Sequence, residues 1–100
     1  MSPRVFLDVD PRELRLPTSR RSGADPFKLQ LQIAQHGPST QGMPCLEVSR
    51  GSDGELVINS GVTRATRIAK LAPGARVRVE LLGRIRRACS PLPKVGDMLP

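Results

Sequence analysis

The residues best suited to chemistry lie in the segment 53–70, where a short apolar run leads into a basic helix. Residues 56–58 have the apolar, β-branched character of a strand, and the small residues 59–61 form a corner before the helix. The first turn of a helix has unpaired N–H groups and the positive end of the helix dipole, which together attract anions. We therefore expect a phosphate at this corner. The predicted ligands are Gly61, Thr63 and Arg64, assisted by Arg20, Arg21 and Arg67.

The net charge also favours an anionic partner. Sixteen Lys and Arg residues against nine Asp and Glu residues give a formal charge of +7, and 13 of the basic residues are arginine. The planar donor fork of arginine suits phosphate, although a merely solvated basic surface is the alternative that composition leaves open. A second group of arginines predicts an alternative function, a non-catalytic module that binds nucleic acid: Arg76, Arg78, Arg84, Arg86 and Arg87.

Several classes of protein are not expected from the composition. Phe6 and Phe27 are the only aromatic residues, so the chain lacks the platforms on which RRM and cold-shock domains stack bases. His36, Cys45 and Cys89 have no metal-ligand spacing, and one histidine supports no catalytic triad. With no apolar run of membrane-spanning length, we expect a cytoplasmic protein with reduced thiols, and a partner protein or a homodimer is compatible with the sequence.

The elements that must position the corner are predicted from periodicity and caps. Alternating apolar residues predict strands near 4–9, 45–50, 55–58 and 76–82, the second and third of them paired through the turn 51–54. Helices are predicted near 26–36 and 61–71, and a brief helical turn follows Asp10. We expect an α+β domain with a mixed sheet covered by helices.

Two further structural expectations concern the first helix and the end of the chain. Phe27, Leu31 and Ala34 recur at helical spacing, so they are expected to form the buried face of the first helix, widened by Ile33. The domain is predicted to span residues 1–83, followed by a basic, proline-containing and partly ordered tail at 84–100.

The order of these motifs resembles a known family. The segments LQLQIAQHG (29–37), PCLEV (44–48), GELVI (54–58) and GVTRATR (61–67) follow the arrangement of the ParB N-terminal domain and of the wider ParB and sulfiredoxin-like fold. The resemblance extends over about residues 5–82, and the order of the motifs is more specific than any one of them.

The resemblance implies a nucleotide at the corner after the hairpin: CTP as in ParB, or ATP or ADP as in sulfiredoxin, with Mg²⁺. It carries Gly61 and Arg64 over as nucleotide ligands and allows phosphoryl-transfer or nuclease activity. Val62 stands where ParB has a glutamate, and Thr63 stands where it has the first arginine of its Gly-Glu-Arg-Arg box.

Overall fold

The strands form one mixed sheet, which confirms the predicted α+β class. The structure is a computed structural model that describes residues 3–100, so the first two residues of the predicted domain lie outside it. Within that range the sheet order is β1-β4-β2-β3, in which β4 and β2 are parallel and the other pairs are antiparallel. The strands are Val5–Val9 (β1), Leu46–Arg50 (β2), Leu56–Ser60 (β3) and Val77–Arg84 (β4).

The two predicted helices are present as Pro26–His36 (α1) and Val62–Leu71 (α2). Asp25 caps α1 by accepting hydrogen bonds from the first-turn backbone, and Gly37, with a positive φ of +54°, ends it. The turn predicted after Asp10 is a short 3₁₀ helix at Pro11–Glu13. Neither α1 nor α2 has the length and apolar content that a membrane-crossing helix requires.

The core lies between one face of the sheet and α2. Alternation along the strands sends every second side chain to this face, and α2 covers it with its own apolar stripe. The core is aliphatic, as a chain with two phenylalanines requires. Its fully buried members include Leu46, Val48, Ile58, Ile68 and Val79.

The predicted buried face of α1 is wrong. Phe27 and Leu31 are 70% and 48% exposed, and Ala34 is also exposed, whereas Leu29 is buried and only 4% exposed. The helix has apolar residues on opposite sides, so periodicity alone indicated two possible faces. The docking of α1 on α2 selects the side of Leu29.

The segment after β4 is not the partly ordered tail that the sequence predicts. Its backbone pairs with the segment 14–16, because Leu16 N donates to Pro93 O and Val95 N donates to Leu14 O, each at 2.8 Å. Val95 is 1% exposed and belongs to the core. Proline interrupts the apolar alternation of a strand, which is why residues 85–100 show no strand pattern in sequence.

Candidate functional site

The corner between β3 and α2 requires glycine. Gly61 has φ +112° and ψ 21°, a backbone conformation that residues with a Cβ rarely adopt. A Cβ built there would lie 2.8 Å from Leu46 Cγ and 3.0 Å from Arg64 Nη2. The chain therefore turns at this point with no room for a side chain, and the helix begins directly at the edge of the sheet.

In the part of the chain that the structure describes, the first turn of α2 has no side-chain cap. At α1, by contrast, the Asp25 carboxylate accepts from Phe27 N at 2.9 Å and Lys28 N at 3.0 Å. At α2 the first intrahelical bond is Ala65 N to Gly61 O at 2.9 Å, and no side chain within residues 3–100 caps the N–H groups before it. The first turn of α2 thus lacks a carboxylate like that of Asp25, which satisfies the corresponding N–H groups of α1.

A cavity of about 480 Å³ lies at this uncapped turn. Three basic side chains from different parts of the chain line it: Arg20 from the short 3₁₀ helix Thr18–Arg20 before α1, Lys28 from α1 and Arg64 from α2. Its other polar lining comes from hydroxyl and amide residues, and none of its lining residues is Asp or Glu. The positive charge is therefore uncompensated within the cavity, which we call the corner cavity.

Two elements bring the basic side chains to the corner. The segment 14–16 runs along the free edge of β3, because Arg15 N donates to Leu56 O at 2.8 Å and Ile58 N donates to Arg15 O at 3.0 Å. This pairing carries the chain past β3, so that the loop with Arg20 lies beside the end of the strand. α1 supplies the opposite wall through Lys28 and Gln32, which are four residues apart and share one helix face.

Arg64 is held over the corner. Its Nη1 donates to Pro44 O at 3.2 Å, and its Nη2 is 3.0 Å from the position that a Gly61 Cβ would occupy. The residue is half-buried and lines the corner cavity. Gly61, Thr63, Arg64 and Arg20 are therefore gathered in one place, as the sequence predicts.

Arg67 has a different position from the one expected. Its side chain is fully buried, and its Nη1 donates to Gly37 O at 2.7 Å and Ser39 O at 2.8 Å. Burial lowers the pKa of the Arg67 guanidinium from its ordinary value. Since the carbonyl of Gly37 lies at the C-terminal end of α1, Arg67 pairs with the negative end of that helix and does not line the corner cavity.

Arg21 also lies outside the corner cavity. It lines a neighbouring cavity of about 260 Å³, and Pro17 and Asn59 line both this cavity and the corner cavity. Adjacent arginines, Arg20 and Arg21, therefore belong to two different cavities.

The five arginines assigned to nucleic acid do not form one surface. Arg76 and Arg78 lie at the start of β4 beside β1, where Arg76 Nη1 donates to Asp8 O at 3.2 Å and Arg78 Cζ lies 4.7 Å from the centre of the Phe6 ring. At a rise of about 3.3 Å per residue, the far end of β4 is roughly 20 Å away. The second group lies at that end and consists of Arg84, Arg86 and Arg87.

Lys28 and Gln32 also line the corner cavity, and the sequence did not predict them as site residues. Their spacing of four shows that they share a face of α1. The sequence contains no sign that this face meets the start of α2, since the two helices are joined only through the tertiary fold.

The chemistry of magnesium gives a further test of the corner. Mg²⁺ prefers carboxylate and phosphate oxygens, and the lining of the corner cavity provides no carboxylate. Within residues 3–100 no group of three or more His, Cys, Asp or Glu side chains is placed to hold a metal ion. The residues at the corner thus fit an anion, and they do not fit a protein-bound cation.

Comparison of the chain with protein-family models, with curated proteins and with solved structures gave no match.

Proposed function

We propose that the protein binds the phosphate groups of a nucleotide in the corner cavity. The observation that carries the proposal is the convergence of Arg20, Lys28 and Arg64 on the uncapped first turn of α2. Backbone N–H groups and guanidinium groups both form charge-assisted hydrogen bonds with phosphate oxygens, and a helix dipole strengthens them. The helix α2 is ten residues long, which is long enough for a developed dipole.

The candidate ligands follow from the ParB-like order of motifs. CTP, ATP and ADP are the nucleotides that this resemblance implies, and any Mg²⁺ arrives coordinated by their phosphates. The positions equivalent to the glutamate and first arginine of the ParB box are Val62 and Thr63, so the proposal is for binding and assigns no catalytic residue.

Titration of the purified protein with CTP, ATP and ADP, with and without Mg²⁺, tests the proposal by calorimetry. Arg64→Ala removes a charge-assisted contact of about 1.5–3 kcal/mol, so affinity should fall by about 10- to 150-fold. Arg84→Ala is the matched control, because Arg84 is an exposed arginine outside the corner cavity. Equal losses for the two variants would show that binding is non-specific electrostatic attraction and would overturn the proposal.

A second candidate is nucleic acid binding at the far end of β4. Arg84, Arg86 and Arg87 are exposed there, and within residues 3–100 their guanidinium groups make no ion pair. Three phosphate contacts predict a slope of about −2.7 for log affinity against log salt on duplex DNA. Replacing all three arginines with alanine should abolish that slope, and an unchanged slope would exclude this surface.

A further inference from the structure

The cavity next to the corner has a different chemical character. It has a volume of about 260 Å³, and Pro17 and Asn59 line both it and the corner cavity. Two arginines, Arg21 and Arg87, also line it, and we call it the arginine-aliphatic cavity. Its apolar walls come from β3 and from the segment after β4: Val57, Ile58, Ile85 and Leu92.

The outer wall of this cavity is fixed to the domain. Asp53 Oδ2 accepts a hydrogen bond from Ser90 N at 2.8 Å, which ties the wall to the β2–β3 turn. Arg15 Nη1 donates to Ser90 O at 3.1 Å and to Leu92 O at 2.9 Å, which ties it to the strand-like segment beside β3. The cavity therefore exists because residues 85–92 pack against the sheet.

We infer that the arginine-aliphatic cavity holds the nucleoside part of the nucleotide whose phosphates occupy the corner cavity, an inference that rests on the proposed function. A phosphate bound at the corner is esterified to a larger group, which must lie in adjoining space. Aliphatic side chains accept the faces of a planar base, and guanidinium groups stack on aromatic rings. Arg21 and Arg87 thereby supply a stacking surface in a chain with only two aromatic residues.

A third cavity also adjoins the corner and is a rival location. It has a volume of about 300 Å³ and shares Gln32 and Arg64 with the corner cavity. Its remaining lining combines the polar side chains of His36, Gln41 and the buried Arg67 with Met43 and Pro44, and none of its lining residues is Val, Ile or Leu. The aliphatic walls of the arginine-aliphatic cavity match a base better, because apolar surface is removed from water on binding.

Two pairs of adjacent arginines provide matched variants. Arg20 lines the corner cavity and Arg21 lines the arginine-aliphatic cavity. Arg87 lines the arginine-aliphatic cavity, while Arg86, also exposed, lines neither. Replacing either member of a pair with alanine lowers the net charge by the same amount. A difference in ligand affinity between the two variants therefore results from the position of the side chain and not from the net charge.

The experiment compares tripolyphosphate with ATP and CTP by calorimetry on the full chain. Tripolyphosphate fills only the corner cavity, so the nucleotides should bind more tightly than it does. Arg21→Ala and Arg87→Ala should each weaken nucleotide binding by about 2- to 30-fold, the range of a guanidinium stacked on a ring, and leave tripolyphosphate binding unchanged. Arg20→Ala should weaken both kinds of ligand, and Arg86→Ala should weaken neither.

Lysine variants separate stacking from charge. Arg21→Lys and Arg87→Lys keep the charge and lose the planar surface, so they should resemble the alanine variants. If circular dichroism shows that an alanine variant does not fold, the lysine variant at the same position replaces it in the binding experiment. Full recovery of nucleotide affinity by lysine would overturn the inference.

The remaining outcomes distinguish the two proposals. If tripolyphosphate binds as tightly as ATP and CTP, the inference about the nucleoside is overturned, whereas the proposed phosphate site is supported. If His36→Ala weakens nucleotide binding while Arg21→Ala does not, the nucleoside lies in the third cavity and the inference is overturned. If none of the three ligands binds, both proposals are overturned.

Discussion

Arg67→Ala should destabilise the protein strongly, because this arginine joins α2 to the end of α1. Two short bonds, to Gly37 O at 2.7 Å and Ser39 O at 2.8 Å, would be lost. A hydrogen bond to a charged donor contributes about 1.5–3 kcal/mol to stability. Since Ser39 is exposed and water can replace one bond, we take the lower values and expect a loss of about 3 kcal/mol. That loss corresponds to a fall of about 15 °C in Tm for a domain of this size.

Urea unfolding followed by far-UV circular dichroism measures the effect, since the chain has no Trp or Tyr to report by fluorescence. Lys70→Ala is the control on the same helix, because Lys70 is exposed and should change stability by no more than about 0.5 kcal/mol. Arg67→Lys keeps the positive charge but not the planar set of guanidinium donors, so it should lose about half as much stability as Arg67→Ala. A loss below about 1 kcal/mol for Arg67→Ala would refute the assigned role.

Two other changes test the turns that frame the site. A hydrogen bond from the backbone N–H of Ser90, with another from that of Cys89, holds the pKa of Asp53 below its ordinary value of 3.8. The charged form of Asp53 therefore stabilises the fold above about pH 4, and this stabilisation is lost as the pH falls further. At pH 7, Asp53→Asn should unfold at a lower urea concentration than the parent protein. Between pH 4 and pH 2, its unfolding midpoint should decrease less than that of the parent protein. An equal decrease of the midpoint with pH in the two proteins would contradict this. Gly61→Ala should cost about 2–4 kcal/mol, from the left-handed backbone and from contact with Leu46, and a loss below about 1 kcal/mol in the same assay would show that the corner relaxes.

The sequence by itself determined the local elements. Asp25-Pro26 and Gly37-Pro38 marked the ends of α1, and alternation marked the strands, because caps and periodicity depend on neighbours within a few residues. The corner at Gly61 was also predicted, since a short apolar run followed by small residues and a basic helix specifies the turn locally. The corner cavity accordingly contains Arg64 and Thr63.

The tertiary structure decided which side chains face the site. Arg64 and Arg67 are three residues apart, which separates them by about 60° around the helix, so the rotation of α2 determines that one lines the cavity and the other is buried. The docking of α1 likewise exposed Phe27 and brought Lys28 to the corner. The packing of residues 85–92 against the sheet, next to the pairing of 93–95 with 14–16, forms the arginine-aliphatic cavity from a segment without strand periodicity. Each of these outcomes depends on contacts between residues far apart in the chain, which local patterns do not encode.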